Sequence, residues 1–154
     1  MRLLRIPRNW QPLVEQFCQK CADLNYKNNA SLKAMKWYDK EIILYGHYTD
    51  HIISLSGAQP FKDGYRVCYR GATLPGYAIP GDHLFKREAI QAMNDLGKNN
   101  YYITTAVGND HTKGARLGRA LKKGKIWKVK MIGIEHIYNV DQTVWLLDDI
   151  YLKN

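Results

Sequence analysis

The chain has 154 residues, 45% of them hydrophobic and 24% charged, which suits one folded domain with its own core and excludes a disordered chain. Lys and Arg number 23 against 14 Asp and Glu, a formal net charge of +9 that favours polyanionic partners such as nucleic acid or phosphorylated small molecules. Three cysteines are too few for a secreted disulfide framework, no apolar run reaches membrane-spanning length, and the first residues lack a signal-peptide core, so the expected setting is the cytoplasm without a membrane partner.

In chain order, Pro12 suits the first turn of a helix that Leu13, Phe17, Cys21 and Leu24 continue at helical spacing. Cys18 and Cys21 have the spacing of a metal or redox pair. Inside a helical stripe and without a second pair they read as core, and no metal site is expected. Ser31 can cap a short second helix running through Trp37. Glu41 to Tyr45 reads as a buried strand; after a turn around Gly46 to Asp50, His51 to Ser56 reads as its antiparallel return. His47 and His51, flanking that turn, read as surface histidines, and Gln59 to Gly64 as a loop.

Tyr65 to Thr73 is the third strand, with Tyr65, Val67 and Tyr69 on one face and Arg66, Cys68 and Arg70 on the other. Asp82 serves as N-cap for a helix to Leu96 with the stripe Phe85, Ala89, Met93 and Leu96, and Gly97 stops it. Tyr101 to Val107 is a strand. Asn109 or Thr112 caps a basic helix whose inner face is Ala115, Gly118 and Leu121, ending at Gly124. Ile126 to Ile132 and Thr143 to Leu147 close the chain as strands, with Trp127, Val129 and Met131 lining one face. The expected fold is a single mixed α/β domain over residues 1–154: a central, mostly antiparallel sheet of about six or seven strands with helices on both faces.

The chemistry concentrates between Tyr65 and Leu121. A strand feeds the loop Pro75-Gly76-Tyr77-Ala78-Ile79-Pro80-Gly81, which opens a helix; such a junction gathers backbone N–H groups and a positive dipole end that suit a phosphate. Tyr77 is a loop aromatic with no core duty, a candidate substrate contact. No Gly-x-Ser-x-Gly elbow occurs, and Glu41, Glu88 and Glu135 stand as isolated acids. Lys113, Arg116, Arg119, Lys122, Lys123, Lys125, Lys128 and Lys130 form a run without an acidic residue, either a solvated face or a nucleic-acid surface, with Arg119 and Lys123 on the outer side of the helix.

Element order and loop together resemble the acetyl-CoA-dependent N-acyltransferase superfamily (the GNAT fold), including its small phage-type members, from Leu13 to Leu147. In that family the fourth strand ends in Pro-x-x-Arg/Gln-x-x-Gly-x-Gly/Ala, whose amides hold the cofactor pyrophosphate. Here Pro75 is followed by Gly81 and by Leu84-Phe85, while Ala78 stands where Arg or Gln is usual and His83 where the second small residue is usual. The resemblance implies acyl transfer from acetyl-CoA or another acyl-CoA to an amine. It places Ala72, Thr73 and Leu74 beside the thioester, and Ala78, Ile79, Gly81, Asp82 and His83 beside the phosphates. Asn109, just after the 101–107 strand, falls near the thiol arm, and Asn109 and Thr104 are the candidate catalytic residues. The leaving-thiolate tyrosine of that family has no counterpart, since Ala120 and Leu121 occupy its neighbourhood.

Tyr69-Arg70-Gly71 and Ile103-Thr104-Thr105-Ala106 also resemble NAD-dependent mono-ADP-ribosyltransferases, in which Arg70 would grip a phosphate; the Gln/Glu-x-Glu pattern of that family is missing, with only Asp141-Gln142-Thr143 in its region. The two resemblances differ in one visible respect: in the acyltransferase fold the 65–73 and 101–107 strands run parallel and splay apart. A non-enzymatic nucleic-acid-binding domain is the third reading.

Overall fold

The computed structural model describes residues 1–24, 41–77, 80–107, 113–137 and 139–147. The strands are β1 (Arg2–Arg5), β2 (Ile43–Tyr48), β3 (Ile52–Phe61), β4 (Gly64–Thr73), β5 (Tyr101–Ala106), β6 (Val129–Ile137) and β7 (Val140–Leu147). The helices are α1 (Gln11–Asp23), α2 (Leu84–Leu96) and α3 (Lys113–Lys122), with a 3-10 turn at Arg8–Trp10. All seven strands form one sheet in the order β1-β2-β3-β4-β5-β7-β6, antiparallel except where β4 meets β5. The expected sheet, with helices on both faces, is what the chain forms.

Two cores follow from the two faces. On the α1 side, Val14, Phe17, Cys18 and Cys21 pack against Ile42, just before β2, and against Leu44, Ile52 and Leu55 of the sheet. The cysteine pair is buried stuffing, as its place on the helical stripe suggests. On the other side, Ala89, Ala92 and Met93 of α2 and Leu121 of α3 pack against Val67, Tyr101, Ile103, Trp127 and Trp145. Burying each such large side chain contributes about 1.5–3 kcal/mol, which is why these stripes decide where the helices lie. Among the described residues, no helix is long and apolar enough to cross a membrane.

Several boundaries differ from the sequence reading. β1 is absent from it, because four residues with two arginines carry little periodicity; here they pair with Tyr45–Tyr48 on the sheet edge. Gly46, His47 and Tyr48 belong to β2 and the turn falls at Thr49–His51, while Gln59 to Phe61 extend β3 rather than forming a loop. Helix α2 starts at Leu84, with His83 and not Asp82 at the N-cap. The last pair is longer and shifted: Trp127 is buried but precedes β6, and Met131 is 53% exposed, so Trp127, Val129 and Met131 do not share a buried face. The Ser31–Trp37 helix, the Asn109 or Thr112 cap and the inner-face side chain of Ala115 lie outside the described residues.

Candidate functional site: the cleft between β4 and β5

β4 and β5 pair in parallel only at Tyr65↔Tyr101 and Arg66↔Tyr102. From there β4 continues to Thr73 and β5 to Ala106 with no further shared register. The two strands part, and a cleft opens between their C-terminal halves. β4 also leaves a regular ladder with β3. From Gly57↔Tyr69 to Gln59↔Arg66, and again from Leu55↔Ala72 to Gly57↔Tyr69, three residues of β4 face two of β3. These are two bulges, and Cys68 in the first has a left-handed φ of 55°. They break the expected alternation. Arg66 and Tyr69 share the α1 side, whereas Val67 and Cys68 both pack towards α2.

At the end of β4 the ladder decides which peptide groups face the cleft. The Leu74 N–H donates to the Ile53 carbonyl at 2.8 Å, so it cannot serve a ligand as the sequence reading expected of Ala72 to Leu74. Hydrogen-bonded and non-bonded pairs alternate in an antiparallel ladder, so Thr73, opposite Ser54 and next to the bonded Leu74, falls at a non-bonded position of the ladder with β3. Its hydroxyl meets that of Ser54 at 3.1 Å. Ala72 and Leu74 are buried in the α1-side core, leaving only their backbone near the cleft.

Beyond Leu74 the loop turns on Gly76 (φ 88°) and Gly81 (φ 79°), conformations that a side chain disfavours, and each glycine has open space around it. Tyr77 is 36% exposed and meets the ring of His51 edge-on, at 6.3 Å between centroids. Ala78 and Ile79 lie outside the described residues. The loop delivers the chain to the N-terminus of α2, a 13-residue helix with no acidic residue in its first turn. Asp82 just before it forms an ion pair with Arg87, so its carboxylate is matched by a cation five residues along rather than left alone beside the helix end. His83 is exposed and its ring lies 5.2 Å from that of Phe85.

The helix is tied to β2 by two contacts seven residues apart. Glu88, fully buried, lies 2.7 Å from Nδ1 of the equally buried His47. The Tyr45 hydroxyl donates to Asp95 at 2.8 Å, and burial together with that carboxylate pushes the Tyr45 phenol well up. His47 is therefore not a surface histidine, nor Glu88 an isolated acid. His47 stands opposite Ser54, and Ser54 opposite Thr73. A row of polar side chains thus runs under α2 from Glu88 to the cleft edge. A spacing argument cannot find it, because its members come from four elements.

The opposite wall is β5. Thr104 is half-buried and accepts a hydrogen bond from Arg66. Thr105 faces the other way and accepts from Trp145 Nε1 at 2.8 Å. Gly118 lets α3 close onto it, for a Cβ there would lie 2.8 Å from Thr105 Oγ1. Lys86 Nζ donates to the Ile126 carbonyl at 2.9 Å, which brings the 122–128 segment beside the first turn of α2. Lys122, Lys123, Lys125 and Lys128 are exposed there, and Arg119 is half-buried. Asn109 and the side chains of Arg70 and Arg116 lie outside the described residues. Among the described residues no cluster of His, Cys, Asp or Glu could hold a metal.

The backbone matches solved N-acetyltransferases over essentially its whole length. An aminoglycoside 6'-acetyltransferase of type Ii superposes on 100% of this chain and 99% of its own, with a TM-score of 0.63 at 13% identity. This chain has their fold. An aminoglycoside 6'-N-acetyltransferase from Enterococcus faecium matches over 96% of each chain (TM-score 0.58, 13% identity). The ribosomal-protein-S18-alanine N-acetyltransferase from Escherichia coli covers 95% of this chain and 92% of its own (TM-score 0.58, 12% identity). No family model and no curated protein matches the sequence. Identity this low carries the fold and not the site, so function rests on the residues of the cleft.

Proposed function

We propose that the protein transfers an acyl group from an acyl-CoA-type thioester to an amine. The observation that carries this reading is the parting of β4 from β5 after two paired residues, with a glycine-turned loop and a helix N-terminus at the open end. A long, phosphate-tailed thioester fits that arrangement: its tail meets the α2 N-terminus, and its acyl end reaches between the strands. The first turn of α2, with Gly81, Asp82, His83 and the Ala78–Ile79 loop, holds the phosphates. Lys122 to Lys128 lie close enough to add positive potential.

Between the strands, backbone N–H donors near the end of β4 polarise the thioester carbonyl as negative charge grows on oxygen. The amine nitrogen bonds to the carbonyl carbon, the C–S bond breaks, and the sulfur leaves as a thiolate that takes up the proton the amine sheds. Asn109 orients the thiol arm or a water, and Thr104 shapes the β5 wall. Arg70 and Tyr77 contact the acceptor. Arg119 and Lys123 draw it in if it is a polyanion such as DNA or RNA. In that case Arg119→Glu with Lys123→Glu weakens nucleic-acid binding without lowering the melting temperature, and affinity falls with salt at a log–log slope of roughly 0.9 per phosphate neutralised.

Calorimetric titration with acetyl-CoA, CoA and NAD tests the reading. Saturable binding of acetyl-CoA and CoA is expected. Binding of NAD alone, abolished by Arg70→Ala, would replace it with ADP-ribosyl transfer. Binding of none would leave nucleic acid or protein as the partner.

A further inference from the structure

The backbone ladder between β4 and β5 stops at Arg66↔Tyr102, and there a side chain takes over. Arg66 is 4% exposed. Its Nη1 donates to Thr104 Oγ1 on β5 at 3.3 Å, and its Nη2 to Gln59 Oε1 on β3 at 2.6 Å. The guanidinium lies 4.0 Å from the ring centre of Tyr69 and 5.3 Å from that of Phe61. Thr104 is two residues beyond Tyr102, hence on the same face and about 6.6 Å further along β5. One buried group therefore spans from the last closed rung of the sheet to the first open one while anchored on the strand behind.

We propose that Arg66 is a positioning residue that sets the angle at which β5 leaves β4, and through it the width of the cleft. A planar guanidinium stacked on an aromatic ring and bonded at both Nη atoms has a fixed direction, which an ammonium on a flexible stem does not reproduce. Two strands that have left their ladder hold no fixed separation of their own, since register and spacing come from the hydrogen bonds they no longer make. The catalytic consequence rests on the acyl-donor reading. Amide donors act on a developing oxyanion only from about 2.7–3.1 Å, so a cleft of the wrong width loses their effect.

Two variants test this: Arg66→Lys, which keeps the charge and loses the fork, and Thr104→Val, which keeps shape and loses the acceptor. Spin labels at Tyr77→Cys and Val107→Cys, exposed positions just beyond the ends of β4 and β5, report its width by pulsed dipolar spectroscopy with no ligand present. The parent should give one narrow distance, and both variants a shifted or broadened one, with melting temperatures within a few degrees of the parent. An unchanged distribution in either variant overturns the proposal. In parallel, the dissociation constant for acetyl-CoA should rise about tenfold in each, and the double variant should be no worse than the weaker single, because both remove one link. Lost affinity at unchanged distance also overturns it, since Thr104 would then act by touching the ligand. If even the parent binds no acyl-CoA, the functional reading fails while the distance result still decides the role of Arg66.

Discussion

Replacing His47 by alanine should cost about 3–5 kcal/mol of folding stability, because it leaves the Glu88 carboxylate without the imidazole that faces it inside the core. The figure follows from burial. The two side chains are 3% and 0% exposed, with Nδ1 and Oε2 2.7 Å apart. The same chemistry occurs on the surface, where His136 Nδ1 meets Asp141 at 2.9 Å with side chains 64% and 68% exposed. That pair should contribute no more than about 1 kcal/mol. His136→Ala is therefore the internal control, near neutral under conditions where His47→Ala is severe. For a chain of this length the His47 loss corresponds to a fall in melting temperature of about 6–20 °C. Exchanging both partners for leucine removes the buried charge with the hydrogen bond, so His47→Leu with Glu88→Leu should be markedly less damaging than His47→Ala alone. Urea unfolding followed by circular dichroism gives each free energy. A His47→Ala cost below about 1 kcal/mol, or a leucine double variant as damaging as His47→Ala alone, would count against a buried pair of this kind.

Gly118→Ala sets a helix-propensity gain of about 1 kcal/mol against overpacking of about 1–3 kcal/mol. Thr105 Oγ1, 2.8 Å from the new methyl, is held by Trp145 and cannot yield, so net destabilisation is expected by differential scanning calorimetry; a raised melting temperature would contradict it. Cys18 is buried and Cys68 partly so, and desolvation pushes the Cys18 thiol up to about 11 and the Cys68 thiol higher still. With Cys21 fully buried as well, a thiol reagent at pH 8 should label the native protein slowly and the unfolded protein at all three cysteines. The Asp63 carboxyl is held below its ordinary range by hydrogen bonds from Tyr102 and Asn100. Its stabilisation is then complete above the unfolded carboxylate pKa and fades as pH falls through the depressed native one. Asp63→Asn should accordingly destabilise at pH 7, by an amount that shrinks towards zero below about pH 4. Arg87→Gln leaves Asp82 unmatched at the α2 N-terminus and should weaken acetyl-CoA binding about two- to fivefold, with Asp82→Asn in the same chain restoring it; equal affinity in all three proteins would count against a phosphate site there.

What the sequence made legible was the part governed by local spacing. The stripe of α2, its stop at Gly97 and the strands on either side are each written in a run of ten or so residues. So is the loop that joins β4 to α2, and with it the place of the cleft. β4 shows where this fails. Its alternation looks regular, and nothing in Tyr65 to Thr73 announces two bulges, because a bulge is set by how β3 and β4 register against each other. Arg66 consequently reads as sharing a face with Cys68 and Arg70, and is in fact among the most buried charges described, on the same side as Tyr69. His47 and Glu88 are 41 residues apart and meet only because α2 crosses β2. Polar groups that serve a site through tertiary contacts leave no periodic trace, whereas glycines at a strand–helix junction do.

The most direct test of the cleft as the acyl-donor site is an amide chemical-shift titration of the protein with acetyl-CoA. Saturable shifts are expected at Gly71 to Leu74, at Gly81 to Lys86 and at Ile103 to Ala106, with smaller ones along Lys122 to Lys128. Shifts confined to the β1–β2 edge or the outer face of β6, or no shifts at millimolar acetyl-CoA, would contradict it.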